Sequence, residues 1–262
     1  MMRLRFDEPR PLTVHMLLTT ACNLNCDGCF YRRERAAEIP FKRIVELLDE
    51  FADGGVKTIA LGGGEPTLYP EINGVVEEAK ERGLYVAVTT NGVNRHEFTV
   101  PPDRVHVSYS RMHEEAIRRT RRRPLRLLRS ATEHYRKRSK TGLNLILTDM
   151  DRLKFLDAFL GSRVDQITIL LEKPESTFEA WDRLFDYIGA DRERYWIDAC
   201  LMKLARGIGC KQGVSSFCID QNLMAYKCSN TKTKIPYTFL SETWTEIREI
   251  GDCIINPPTR LI

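Results

Sequence analysis

Three cysteines crowd one short segment, Thr19-Thr-Ala-Cys22-Asn-Leu-Asn-Cys26-Asp-Gly-Cys29-Phe30-Tyr31, with C-x3-C-x2-C spacing. Three thiolates on one tight loop suit three corners of an iron–sulfur cluster. A cubane held by three Cys leaves one iron without a protein ligand, open to another molecule. Zinc wants a fourth ligand and favours C-x2-C pairs. Three unrelated core thiols are the other alternative. Five more cysteines, Cys200, Cys210, Cys218, Cys228 and Cys253, fall after residue 198. Met1–Pro11 is charged and Pro-rich with no apolar stretch, so no export signal is read there and disulfides are not expected. The eight thiols are therefore core residues, metal ligands or catalytic groups.

These residues need a scaffold, and the chain supplies a repeating one. Short apolar, β-branched runs occur at Leu12–Leu18, Lys57–Leu61, Leu84–Thr90, Arg104–Tyr109, Leu143–Thr148 and Gln166–Leu171. Helical patterns lie between them. Ile44, Leu47, Leu48 and Phe51 share one face before Gly54–Gly55, and Ile72, Val75, Val76 and Ala79 share another before Gly83. Further helices are expected over about 111–122, 124–138, 150–161 and 175–189, with Pro124 opening a helix. Strand–helix alternation of this kind predicts a parallel sheet covered by helices, as a barrel or an open sheet. Ligands in either gather at the carboxyl ends of the strands. The first cysteine group stands at one such end. After about Asp198 the rhythm stops, and residues 199–262 read as a small separate subdomain without a long helix.

At 262 residues, with 42% hydrophobic and 29% charged, the chain is globular rather than disordered. No apolar run approaches the roughly 18 residues of a membrane span, and the expected compartment is the cytoplasm. The net charge of +4 is mild, but it hides a contrast. Residues 111–140 carry 12 Lys or Arg against 3 Asp or Glu, a net +9, so the remainder nets −5. Arg118, Arg119, Arg121, Arg122, Arg123, Arg126 and Arg129 suit RNA, a phosphorylated substrate or an acidic peptide, or are simply a solvated helix face. No aromatic residue is interleaved for base stacking, so nucleic acid is not favoured.

The cysteine spacing after the first strand resembles the radical S-adenosylmethionine (radical SAM) superfamily. Gly62-Gly63-Gly64-Glu65-Pro66 after the second strand resembles that family's GGE motif, and Thr89-Thr90-Asn91-Gly92 after the third resembles its TxNG segment. The resemblance covers about residues 12–198. It implies an α/β fold with a partial (β/α)6 barrel over 1–198, and a [4Fe-4S] cluster on Cys22, Cys26 and Cys29. The open iron would take the amino and carboxylate groups of S-adenosylmethionine. Gly62, Gly63 and Gly64 let a backbone come close, with no Cβ in the way. By resemblance, they and Glu65 meet the methionine amino group. Asn91, Ser108, Ser110 and Asn144 are further cofactor contacts, each equally readable as a hydrogen-bonded residue near a strand end. Many family members place an aromatic before the third Cys to stack on adenine. Gly28 stands there, so Phe30 or Tyr31 takes that role.

The later cysteines resemble the opening of the twitch and SPASM subdomains, shortened. This implies at most one auxiliary [4Fe-4S] cluster over 199–262, held by Cys200, Cys210, Cys228 and Cys253. Cys218, inside the strand-like run Ser216–Ile219, reads as core. The hairpin glycine usual in that motif is Leu223 here. The family's chemistry is reductive cleavage of S-adenosylmethionine to a 5′-deoxyadenosyl radical, which takes a hydrogen atom from a small molecule or peptide. It needs an external one-electron donor of flavodoxin or ferredoxin type. Lys173, after the sixth strand, is a candidate substrate contact. A glycyl-radical activating enzyme, an RNA-modifying enzyme and a non-enzymatic iron–sulfur module are the alternatives.

Overall fold

The computed structural model describes residues 10–29, 37–171, 181–189, 191, 193–198, 202, 215–228, 231 and 233–250. Phe30, Tyr31, Lys173, Cys200, Cys210 and Cys253 lie outside them.

The six anticipated runs form β1 (Thr13–Thr19), β2 (Thr58–Gly63), β3 (Tyr85–Thr90), β4 (Arg104–Tyr109), β5 (Lys140–Leu147) and β6 (Gln166–Leu171). Each pairs in parallel with the next. Their alternation divides two faces. Val14, Met16, Ile59, Leu61, Val86, Val88, Val105, Val107, Leu143, Leu145, Ile167 and Ile169 are buried in one core cluster. The residues between them, among them Arg104, His106, Ser108, Asn144 and Thr168, are only half-buried and form the opposite face. β5 starts at Lys140, ahead of the anticipated Leu143. Gly142 belongs to it because a Cβ there would lie 2.6 Å from the His106 ring on β4.

The connecting helices bear the expected faces. α1 (Phe41–Asp53) buries Ile44, Leu47, Leu48 and Phe51, and α2 (Ile72–Glu81) buries Ile72, Val75, Val76 and Ala79. α3 (Arg111–Arg119) is capped by Ser110, whose hydroxyl accepts from the His113 N–H. α4 (Pro124–Tyr135) has proline in its first turn, where a missing N–H costs nothing. α5 (Met150–Leu160) is capped by Asp149. The described part of the helix expected over 175–189 is α6 (Trp181–Ile188).

Three features depart from the periodicity. A seventh parallel strand, β7 (Tyr195–Ile197), comes after β6. It is three residues long, too short for a pattern to announce. In the tail, β8 (Ser216–Ile219) pairs in parallel with β1, and β9 (Met224–Tyr226) and β10 (Ile235–Pro236) continue antiparallel. The described part of 199–262 thus extends the same sheet, in the order β10-β9-β8-β1-β2-β3-β4-β5-β6-β7. The tail, expected to lack a long helix, also holds the ten-residue α7 (Leu240–Glu249). Its Leu240, Trp244 and Ile247 join the main core, and Leu240 closes over Gly54 at the end of α1.

Candidate active site at the carboxyl ends of β1 to β3

The register between β1 and β2 slips between Leu17 and Thr19. Such a bulge bends a strand and re-aims the chain beyond it, here the cysteine loop. The side chain of Thr19 ties the base of that loop, accepting from Ala21 N and donating to Glu38. Cys22 is exposed, Cys26 buried and Cys29 between the two. Although Cys22 as a residue is exposed, the protein packed around its sulfur desolvates the thiol and raises it above its ordinary value, and the Glu65 and Cys29 charges add to this. Burial also pushes Cys26 up to about 11, with the Cys29 and Cys22 charges acting in the same direction. The three sulfurs therefore feel one another.

Among the described residues, no three Cys, His, Asp or Glu side chains converge as ligands of one metal ion. A four-iron cluster puts each thiolate on a different iron, so it asks for a wider spacing. Cys22 Sγ also receives N–H groups, from Leu24 N at 3.4 Å and Asn91 Nδ2 at 3.7 Å. Such donors stabilise a metal-bound thiolate. The donor set fits an iron–sulfur cluster, whose positive charge would reverse the thiols' reluctance to ionise.

The glycine loop packs against the cysteine loop. Gly63 has φ +128°, and a Cβ on it would lie 2.5 Å from Thr19 O. A Cβ on Gly64 would lie 2.4 Å from Ala21 O and 2.6 Å from Thr20 O. Gly64 N and Glu65 N donate to Thr19 O and Ala21 O, each at 2.8 Å. Two of the three glycines thus serve a close approach of one loop to the other. Gly62 is the one with room, since its Cβ would meet only Leu17 Cδ2 at 3.5 Å.

Glu65 is fully buried. Its Oε1 accepts from Thr67 N, Thr67 Oγ1 and Thr90 Oγ1, and its Oε2 accepts from Asn91 N at 2.7 Å. Burial raises its pKa, and the four donors oppose the rise. The carboxylate so clamps the end of β3 to the glycine loop. Asn91 then bridges onward, donating to Asn23 Oδ1 at 2.7 Å as well as reaching Cys22. Sequence reasoning missed Asn23, Thr67 and Thr90. Thr90 belongs to the TxNG segment, but nothing local links it to a carboxylate 25 residues away.

On β4 and β5 the candidate contacts are partly engaged with the protein itself. Ser110 Oγ is 2.7 Å from His113 Nδ1 while it caps α3. Asn144 Oδ1 is 2.7 Å from His106 Nδ1. Ser108 stands opposite Asn144 in the ladder, half-buried on the same face. In the tail, Cys228 Sγ lies 3.6 Å from Thr231 Oγ1, and Cys218 sits on β8 with Sγ 3.9 Å from Lys227 O.

The family model described as the radical SAM superfamily matches residues 16–159, more than half of the chain and all of this loop assembly. The chain belongs to the radical SAM superfamily. PqqA peptide cyclase of Methylorubrum extorquens is 36% identical to the radical SAM chain over 88 residues. That match spans 32% of this chain and 23% of the relative, so about a quarter of the relative's length is represented. Among solved structures, SuiB of Streptococcus suis bound to S-adenosylmethionine superposes with a TM-score of 0.73 at 19% identity. The match covers 92% of this chain and 68% of SuiB. The protein anSMEcpe with bound AdoMet and the Cp18Cys peptide gives 0.61 at 14% identity, over 90% and 80% of the two chains. These likenesses show the radical SAM partial-barrel fold. Radical SAM proteins use a [4Fe-4S] cluster and S-adenosylmethionine. Among the described residues, no helix of this member is long and apolar enough to cross a membrane.

Proposed function

We propose that this chain cleaves S-adenosylmethionine reductively and takes a hydrogen atom from a peptide substrate. The carrying observation is the convergence at Cys22: its sulfur, shared with Cys26 and Cys29 in one electrostatic neighbourhood, receives the Asn91 amide from the end of β3. A peptide is favoured over a small molecule because PqqA peptide cyclase acts on a peptide and anSMEcpe carries one.

When bound, the cluster and S-adenosylmethionine supply a 5′-deoxyadenosyl radical. Cys22, Cys26 and Cys29 hold the cluster. Gly62, the glycine not filled by the neighbouring loop, gives the methionine end its close approach. Glu65 is a positioning residue, holding Thr90 and Asn91 in place. Ser108 and Asn144 face the cofactor from β4 and β5. Residues 199–262 form the auxiliary region, with Cys228 joined by Cys200, Cys210 and Cys253 as ligands of one further cluster. Cys218, held in β8, is not a ligand.

The test is anaerobic reconstitution and then assay for 5′-deoxyadenosine under dithionite. Metal-replete protein that yields none overturns the reading. A variant with Cys22, Cys26 and Cys29 all changed to Ala should yield none and retain about four irons per chain if the auxiliary cluster exists. No residual iron removes the auxiliary cluster.

A further inference from the structure

The basic segment has a place in the fold that its sequence alone could not show. α3 packs on the cysteine loop. Leu24 and Cys26 are buried against Ala116 and Ile117, with Met112, Leu127 and Cys29 packed around them. Arg119, at the end of α3, pairs with Asp27 at 2.7 Å, between Cys26 and Cys29. The chain then turns at Arg121, whose φ of 60° is the left-handed conformation uncommon for a non-glycine residue. Arg121, Arg122 and Arg123 come so soon after Arg119 that the chain separates them by at most about 15 Å.

These three and Arg126 are exposed. Among the described residues, none of the four forms an ion pair, whereas Arg118, Arg119 and Arg129 do. Four uncompensated cations thus follow, within a few residues, the Arg119–Asp27 pair that joins α3 to the loop carrying Cys22, Cys26 and Cys29. Unpaired like charges repel one another, and a partner of opposite sign relieves that repulsion and is steered toward the patch.

We propose that the α3–α4 loop, through Arg121, Arg122, Arg123 and Arg126, docks the acidic one-electron carrier protein that reduces the cluster. The inference rests on the function proposed above. Proximity selects this partner over RNA: the patch adjoins the helix that packs on the cysteine loop, and residues 111–130 contain no Phe, Trp or Tyr on which a base stacks.

The test compares two reductants on the reconstituted full chain, with 5′-deoxyadenosine as readout. One is dithionite, a small ion needing no docking surface. The other is a pre-reduced acidic flavodoxin. With flavodoxin, the rate should fall roughly tenfold or more between about 50 and 300 mM salt, as contact steered by exposed charge does. With dithionite it should change little. Changing Arg121, Arg122 and Arg123 together to Glu should raise the KM for flavodoxin about tenfold or more and flatten its salt dependence, leaving the dithionite rate intact. Should that variant lose its dithionite rate, the single change Arg122→Glu carries the same comparison. A flavodoxin rate insensitive to salt in the unaltered protein overturns the proposal. So does a reversed patch that loses RNA binding while reduction by flavodoxin is unchanged. Absence of dithionite-supported cleavage in the unaltered protein would instead overturn the proposed function.

Discussion

Asn91 Nδ2 lies 3.7 Å from Cys22 Sγ, joining two motifs 69 residues apart. The same amide donates to Asn23 Oδ1, and the Asn91 backbone donates to Glu65. One residue therefore holds the cysteine loop, the glycine loop and the end of β3 together.

Removing that amide should be felt at the metal and in stability. Asn91→Ala removes the hydrogen bond to Asn23 Oδ1, which water can replace because Asn23 is exposed, at a cost of about 0.5–1.5 kcal/mol. It also removes an N–H directed at the Cys22 sulfur, the proposed cluster ligand, and such bonds raise a cluster's potential. Potentiometric titration monitored by electron paramagnetic resonance should give a more negative midpoint for the variant. An unchanged midpoint would confine Asn91 to loop structure.

Gly62 and Gly64 should part company under the same substitution. Gly64→Ala drives a Cβ into two backbone oxygens that cannot move aside, so it should cost about 3 kcal/mol and empty the cluster site. Gly62→Ala meets only a side-chain methyl. That variant should fold and bind iron normally while losing affinity for S-adenosylmethionine. Iron content and equilibrium binding, measured side by side, check both.

Leu223 turns the β8–β9 hairpin with φ 56°, at the position where glycine is usual. A non-glycine residue in that conformation costs on the order of 1 kcal/mol. Leu223 also packs against the core, so its own truncation is unfavourable. The informative comparison is between two truncations. Leu223→Gly should be more stable than Leu223→Ala by about 1 kcal/mol in urea unfolding, the reverse of their order in a regular element.

Acid should weaken the fold through its histidines. Burial holds His15, His96, His106 and His113 below the ordinary imidazole value, His106 and His113 at about 4. For these two, between pH 6.5 and about 4, the unfolded chain binds protons that the folded chain refuses. Stability therefore rises with pH through that window and is lost as pH falls. His113→Gln should remove one proton's share of the slope, about 1.4 kcal/mol per pH unit. Urea midpoints taken across the window would show it, and an identical slope in the variant would sink the assignment.

Local pattern was enough to place the six-strand repeat, the helix faces and the cysteine loop after β1. Burial alternates every second residue in a strand, a helix face returns every three or four, and C-x3-C-x2-C lies within one loop. Leu240, Trp244 and Ile247 of α7 also stand at helical spacing, but the short polar-flanked runs around them obscure it. Everything else had to wait for folding, because it depends on pairs remote in the chain. Packing assigns Gly63 and Gly64 to the cysteine loop, joins Glu65 to Thr67, Thr90 and Asn91, and returns β8 beside β1. It also sets Arg119 on Asp27, which brings the start of a run of arginines to the cysteine loop. A hydrogen bond or ion pair is made across space, and nothing in the residues near Asn91 or Arg119 names the partner that folding brings to them.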